Sequence, residues 1–418
     1  MQKIFDLIGE EIKRQKTGLE MIPSENYVSK NVLKALGSIL TDKYSEGYPG
    51  RRYYGGNFAI DEIEKTAQSL ANQLFGTAHA NVQPYSGSPA NLAVDLSVAQ
   101  PGDCILGLAL SSGGHLTHGA KASFTGKLFK AITYTVDKDG RVDLDLVRQL
   151  AKEHRPKLIW VGGTAYIYQY EFADFAKIAQ EVGAYLAADI SHVAGLVVGG
   201  VHPSPTPHVD IVTTTTHKTL RGPRGAMIMV TPKGLQKDPE LAAKIDAAVF
   251  PGLQGGPHDH QTAAIAVALY EASKPQFKKY AAQIVKNAKA LSEALKKHGL
   301  QLVGNGTENH LMLVDFTGRG YGLGYQAQIV LEEAGITVNR NTIPQEPVSH
   351  YYPSGIRLGT PALTSRGMKE KEMQKIAGWI NDLDSKQFTV RQKATDALAK
   401  LGDKFAGQAE VATLLKSL

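Results

Sequence analysis

Thr213-Thr-Thr-Thr-His217-Lys218-Thr-Leu-Arg221-Gly-Pro-Arg224-Gly225 joins two short apolar runs, residues 209–215 and 226–230. The consecutive threonines favour an extended strand, and the glycines and proline beyond Lys218 favour a turn. The lysine therefore sits where a strand ends. Upstream, the runs at residues 104–110, 131–136, 157–162 and 184–189 have the same length and apolar character, and helical patterns at residues 143–154 and 172–182 separate some of them. Short apolar runs alternating with helices specify an α/β fold with a largely parallel sheet covered by helices. Ligands of such sheets bind beyond the carboxyl ends of the strands, so the residues closing each run are the candidates for chemistry.

Outside this region, Ile60, Ile63, Ala67, Leu70 and Leu74 recur at helical spacing, and Gly76 ends that helix. Residues 1–16 suit an amphipathic helix without the apolar core of a signal peptide, which gives the expectation of a cytoplasmic protein. A second region opens at Lys274-Pro275 with a long helix whose apolar positions are Phe277, Ala281, Ile284, Ala288, Leu291 and Leu295. Strands near residues 300–303 and 310–316 and helices over 324–334, 369–383 and 390–401 follow. The expected division is an N-terminal arm and large domain over residues 1–274 and a smaller α+β domain over 275–418.

The 418 residues suffice for a sizeable core, and 43% hydrophobic with 21% charged residues is ordinary for a soluble chain. There is no 18-residue apolar run, so no membrane partner is expected. The single cysteine, Cys104, allows no intrachain disulfide and is expected to be a buried strand residue. Net charge is +6 and the pI about 9.0, but the basic residues are dispersed. An anionic small molecule accounts for that charge as well as nucleic acid would, and no nucleic-acid partner is expected.

Lys218 has His217, Arg221 and Arg224 beside it, and neighbouring positive charge disfavours the ammonium form and favours the free amine a Schiff base needs. Asp189 ends the run Ala184-Tyr-Leu-Ala-Ala-Asp189, where it could pair with a pyridinium nitrogen; a lone aspartate there is more often a helix cap. Ser86-Gly87-Ser88 precedes a helical pattern over residues 90–99, so a helix start could hold a phosphate. Gly113-Gly-His115-Leu-Thr-His118-Gly119 could supply an aromatic face. Its histidines lack an accompanying carboxylate, which argues against a metal.

Together with Lys43-Tyr-Ser-Glu-Gly-Tyr-Pro-Gly-Arg-Arg-Tyr-Tyr-Gly-Gly56 and Ser354-Gly-Ile-Arg-Leu-Gly-Thr-Pro361, these stretches resemble the serine hydroxymethyltransferase family over nearly the whole chain. The resemblance implies the aminotransferase-like pyridoxal-phosphate fold (fold type I), with a mostly parallel seven-stranded sheet. It implies pyridoxal 5'-phosphate as cofactor, tetrahydrofolate as co-substrate, and transfer of a one-carbon unit between serine and glycine. Carried over by resemblance, Lys218 is the Schiff-base lysine, Asp189 the partner of the ring nitrogen, and His115 the residue stacked on the ring. His192, Thr164 and His217 contact the cofactor, Ser86 and Gly87 its phosphate. Gly255 and Gly256 give a phosphate contact from a partner subunit. Ser24, Tyr54 and Arg357 surround the substrate amino acid, and Glu46 is the acid/base carboxylate with Tyr44 nearby. Tyr53, Leu110, Gly114, Leu116 and Asn341 contact folate. The implied assembly is a homodimer with shared active sites, with a tetramer left open.

Some positions depart from the family pattern: Tyr85 where histidine is frequent, Pro89 for glutamine, Ser112 for histidine, and Ile167-Tyr168 for Pro-Arg. They are expected to flank the cofactor site and to bear on substrate preference and rate. The alternative is a related pyridoxal-phosphate aldolase or hydroxymethyltransferase for other β-hydroxy or α-methyl amino acids. Retention of Lys218, Asp189, Glu46 and Arg357 together argues against a binding protein that has lost turnover.

Overall fold

The computed structural model describes residues 1–383 and 388–406. Residues 384–387 and 407–418 of the expected C-terminal domain lie outside the described residues. Seven strands, β1 (His79–Asn81), β2 (Cys104–Leu108), β3 (Lys130–Tyr134), β4 (Leu158–Gly162), β5 (Tyr185–Asp189), β6 (Ile211–Thr215) and β7 (Ala226–Val230), form one sheet in the order β1-β7-β6-β5-β4-β2-β3. Strands from β6 across to β3 pair in parallel, while β7 runs antiparallel to β6 and β1.

Helices bury both faces. Along β4, Leu158 and Trp160 pack with Ile105, Ala187, Ile211 and Ile228 on one side. Ile159 and Val161 pack with Leu106, Leu186, Val212 and Met227 on the other. Two-sided burial is why these strands read as continuous apolar runs without alternation. The run at residues 104–110 ends sooner as a strand than its apolar character suggests. After Leu108 the chain turns into a 3-10 segment, Leu110–Ser112, closed by Gly113 at φ 88°. Cys104 opens β2 half-buried, less enclosed than expected, because it stands at the strand's outer end.

A second sheet of β8 (Gln301–Leu302), β9 (Leu311–Asp315), β10 (Asn339–Asn341) and β11 (Gly355–Gly359) is antiparallel, in the order β8-β9-β11-β10. The helix Pro275–Lys297 connects the two cores. Its Phe277, Ala281 and Ile284 belong to the core of the large sheet, and Ala288, Leu291 and Leu295 to that of the small one. The N-terminal arm packs on the small sheet's side, where Leu19–Glu20 pairs with Ile336–Thr337 and Leu19 and Met21 join that core. In the amphipathic first helix, Gln2–Thr17, Ile4, Phe5, Leu7 and Ile8 stay exposed. Among the described residues no helix is long and apolar enough to cross a membrane.

Candidate active site

The parallel register aligns Gly162, Asp189 and Thr213 across β4, β5 and β6. The chain leaves β4 and β5 at this level and β6 two residues beyond it, and a cavity of about 480 Å³ opens there. Ser24, Ser86, Gly87, Leu110, Gly114, His115, Leu116, Thr164, His192, His217, Lys218, Asn341 and Arg357 all line it. These residues span more than three hundred positions of sequence, and the two sheets meet at this point.

Lys218 is 8% exposed in the turn after β6. Burial, then the positive charges of Arg357 and Arg224, lower its amine to about 8 against the opposing pull of Asp189. The direction agrees with the sequence expectation but the leading cause differs. Arg221 turns away, its Nε donating to the Tyr27 carbonyl at 2.7 Å, and burial holds His217 down at about 3. The lowered pKa leaves a usable fraction of free amine near neutral pH, which attack on an aldehyde requires.

Asp189 closes β5 and is no helix cap; its Oδ1 accepts from the Ser191 N–H at 3.0 Å within its own turn. Its Oδ2 accepts from Asn91 Nδ2 at 2.9 Å and faces His118 Nε2 at 3.2 Å. Burial raises the pKa of such a group, but the His118 hydrogen bond, the adjacent histidines and the Ser191 N–H outweigh it and hold the carboxyl well below the usual range. Asp189 also supplies the carboxylate missing from the histidine motif. Ligand atoms of His115, His118 and Asp189 lie within 4.8 Å of one another, because β5 delivers an acid that spacing within the motif cannot reveal. Those atoms are engaged already: His118 Nε2 with Asp189, and His115 Nδ1 with Thr117 Oγ1 at 2.7 Å. Burial lowers His115 to about 4, leaving a neutral imidazole at the cavity wall.

Arg357 stands on β11, 8% exposed. Its Nη1 donates to the Thr164 carbonyl and its Nε to Asn339 Oδ1 at 3.1 Å. Burial lowers it to about 10, so it remains a cation at neutral pH. At the opposite end Ser86 precedes the helix Gly87–Val98, and its hydroxyl makes no capping hydrogen bond. Gly87 is required for closeness, since a Cβ there would come within 2.8 Å of Thr215 Cγ2. Thr215 Oγ1 and His217 Nδ1 are buried in the cavity wall with no hydrogen-bond partner. Such orphaned groups fit a polar ligand that supplies the missing partners. An amine-bearing lysine, an ionised aspartate and an unfilled helix start match the aldehyde, ring nitrogen and phosphate of pyridoxal phosphate.

The remaining expected residues gather elsewhere. Tyr44, Glu46, Tyr53, Tyr54, Gly255 and Gly256 are not among the residues lining the cavity. A Cβ on Gly255 would lie 3.1 Å from Glu46 Oε1, and one on Gly256 3.2 Å from Tyr44 Cε1. The Tyr44 and Tyr54 rings are 4.9 Å apart. Glu46 is set between two carbonyls, of Ser45 and Gly47, that both accept from Arg52 Nη1 at 2.8 Å. Arg52 is in turn fixed by Asp61 at 2.8 Å and Glu64 at 2.6 Å. The charge of Glu46 pushes the Tyr44 phenol up.

The departures from the family pattern divide. Tyr85 and Pro89 do flank the cavity beside Ser86 and Ser88; Tyr85 stacks on His258 at 4.1 Å and its hydroxyl donates to the Gly256 carbonyl at 2.7 Å. Ser112 accepts from the Val136 N–H at 3.4 Å. Ile167 and Tyr168 do not flank the cofactor cavity, contrary to expectation. They pack in the core, with Tyr168 Oη donating to the Asp139 carbonyl at 2.8 Å and Arg141 lying over its ring at 3.8 Å. Sequence reasoning missed Asn91, which bridges Thr213, Thr117 and Asp189. It also missed His310, 3.2 Å from His192. Asn91 carried one signal, a polar residue that shares with Asp95 the buried face of a largely apolar helix.

Fold and cavity together define an aminotransferase-like pyridoxal-phosphate enzyme, with the cofactor site at the carboxyl ends of a mostly parallel seven-stranded sheet. The family model described as serine hydroxymethyltransferase matches residues 1–380. Serine hydroxymethyltransferase of Acidothermus cellulolyticus is 55% identical over 406 residues, covering 97% of this chain and 92% of that protein. That of Sorangium cellulosum is 56% identical over 382 residues, covering 91% and 88%. The chain belongs to the serine hydroxymethyltransferase family, whose enzymes are pyridoxal-phosphate-dependent one-carbon transferases with tetrahydrofolate as co-substrate.

Proposed function

We propose that this chain interconverts L-serine with tetrahydrofolate and glycine with 5,10-methylenetetrahydrofolate in the cavity around Lys218. One observation carries the assignment: a buried lysine with a lowered amine pKa and a buried arginine line one cavity, and an ionised aspartate behind its wall acts on the lysine's charge. Bound pyridoxal phosphate supplies an electron sink for the bonds at the amino acid's α-carbon. Lys218 holds the cofactor through its amine, Asp189 partners the ring nitrogen, and His115 covers the ring as a neutral imidazole. Ser86, Gly87, Thr164, His192 and His217 complete the cofactor's contacts. Arg357 takes the substrate carboxylate in the fork its guanidinium offers, with Ser24 and Tyr54 beside it. Glu46, with Tyr44 against it, moves a proton at the serine hydroxyl or the folate. Tyr53, Leu110, Gly114, Leu116 and Asn341 receive the folate.

The two gatherings of site residues support a homodimer in which Glu46, Tyr44, Gly255 and Gly256 of one copy complete the cavity of the other. The same proposal carries a cytoplasmic location and a division of the chain near residue 274. The experiment is an absorbance titration with glycine, with and without tetrahydrofolate. A long-wavelength band that appears with glycine and grows with folate is expected; its indifference to folate would remove the carrier assignment. Glu46→Gln is expected to keep glycine binding and lose folate-dependent serine turnover, and full activity would reduce Glu46 to a structural residue.

A further inference from the structure

Behind Asp189 a line of buried polar side chains continues away from the cavity. His118 Nδ1 accepts from the His115 backbone N–H at 3.4 Å, which leaves Nε2 as the donor to Asp189 Oδ2. The His118 ring lies nearly parallel to the Trp160 indole, with centroids 5.3 Å apart and planes inclined by 14°. Trp160 Nε1 donates to Asp95 Oδ1 at 2.8 Å, and Asp95 Oδ2 accepts from Thr125 Oγ1 at 3.0 Å. Asp95 and Trp160 are both fully buried.

Asp95 takes its hydrogen bonds from neutral donors alone. An asparagine oxygen would satisfy the indole equally and would avoid burying a carboxylate, which costs several kcal/mol when no cation compensates it. The position holds an acid nonetheless. A carboxylate on the indole N–H orients the ring and raises electron density over its face, and that face is the wall on which His118 lies.

We propose that Asp95, acting through Trp160 and His118, is a positioning residue for Asp189: it fixes the plane of the His118 ring and sets how strongly that ring donates to the ring-nitrogen partner. The proposal rests on the assignment of Asp189 to the cofactor's ring nitrogen. The groups bearing on Asp95 are Trp160 from β4 and Thr125 from the helix Phe124–Leu128. Beyond the indole, the groups bearing on the His118–Asp189 pair include His115, Lys218, Tyr170, Ser191 and Asn91. Burial raises Asp95 to about 7, so its charge changes near neutral pH.

The test uses the full chain carrying Trp379→Phe, which leaves Trp160 as its one indole. In the cofactor-free protein, Trp160 emission is expected to change with pH through about 7, and to be flat in Asp95→Asn. In the loaded protein, Asp95→Asn and Trp160→Phe are each expected to move the pH midpoint of the cofactor's visible band by roughly half a unit or more. Circular dichroism should be unchanged. Superimposable band profiles in the parent and Asp95→Asn would overturn the proposal. Asp189→Asn separates the two layers: if it shifts the band while Asp95→Asn does not, only the role of Asp95 fails. If neither shifts it, the ring-nitrogen assignment fails as well.

Discussion

At the scale of single residues, uptake of pyridoxal phosphate by the cofactor-free protein is expected to accelerate as pH rises through about 8. Below that value Lys218 is an ammonium without a lone pair; above it the amine is free to attack. Rapid-mixing absorbance across the range checks this, and Lys218→Ala should abolish both the pH-dependent band and multiple turnover. An unchanged spectrum in that variant would move the assignment to another lysine. Arg357→Lys should raise the KM for serine roughly tenfold or more with the fold intact, because a point charge cannot reproduce a two-pronged contact. Near-normal KM would remove Arg357 from the substrate. Lys218 and Asp189 stood out in the sequence because Asp189 ends one apolar run and Lys218 lies three residues beyond another. The cause of the lowered lysine was not legible there, since the cavity that encloses it is walled by Arg357, His192 and other residues distant in sequence. His310 was invisible for the same reason, and Asn91 showed only as a polar residue on a buried helix face.

At the scale of elements, the turn carrying Lys218 is seated on the short helix Ala194–Val198. Thr219 Oγ1 accepts from the Gly195 N–H at 3.0 Å and donates to the His192 carbonyl at 2.8 Å. A Cβ on Gly195 would lie 2.1 Å from the Thr219 carbonyl oxygen, backbone against backbone. Gly195→Ala should therefore push the lysine turn outward, costing about 1–3 kcal/mol by overpacking and weakening cofactor retention more than a distant change of equal cost. Thermal melts with and without cofactor measure both, and equal losses of stability in the two states would show that the helix does not position Lys218. Six of the seven strands in the large sheet were legible as apolar runs. β1 was not: its three residues, His79–Asn81, are extended only because Ile228, Met229 and Val230 offer them an edge. β11 read as a motif and not as a strand, because Gly355 and Gly359 weaken its propensity and pairing to β9 and β10 supplies the order.

At the scale of the whole molecule, the cavity around Lys218 and the cluster around Glu46 lie apart on one chain, and in the proposed homodimer a two-fold axis would turn two such chains into two complete sites. The exposed Ile39, Tyr53 and Phe58 beside the Glu46 cluster, 84%, 76% and 83% accessible, give that surface an apolar character suited to a partner. The arrangement has a quantitative consequence. If Lys218→Ala and Glu46→Gln chains, each inactive alone, are unfolded together and refolded, random pairing makes about half of the dimers mixed. In a mixed dimer one site joins the altered lysine position of the first chain to the altered glutamate position of the second, and carries both defects. The other site joins the intact Lys218 of the second chain to the intact Glu46 of the first. About a quarter of wild-type activity should return, set by half of the dimers carrying one working site in two. The activity should scale with the product of the two chain fractions as their ratio is varied, which distinguishes it from slight residual activity in either parent. Should mixed dimers form, as size and tag measurements would register, while activity stays at the level of the parents, Lys218 and Glu46 must serve the same subunit's site and the shared arrangement fails.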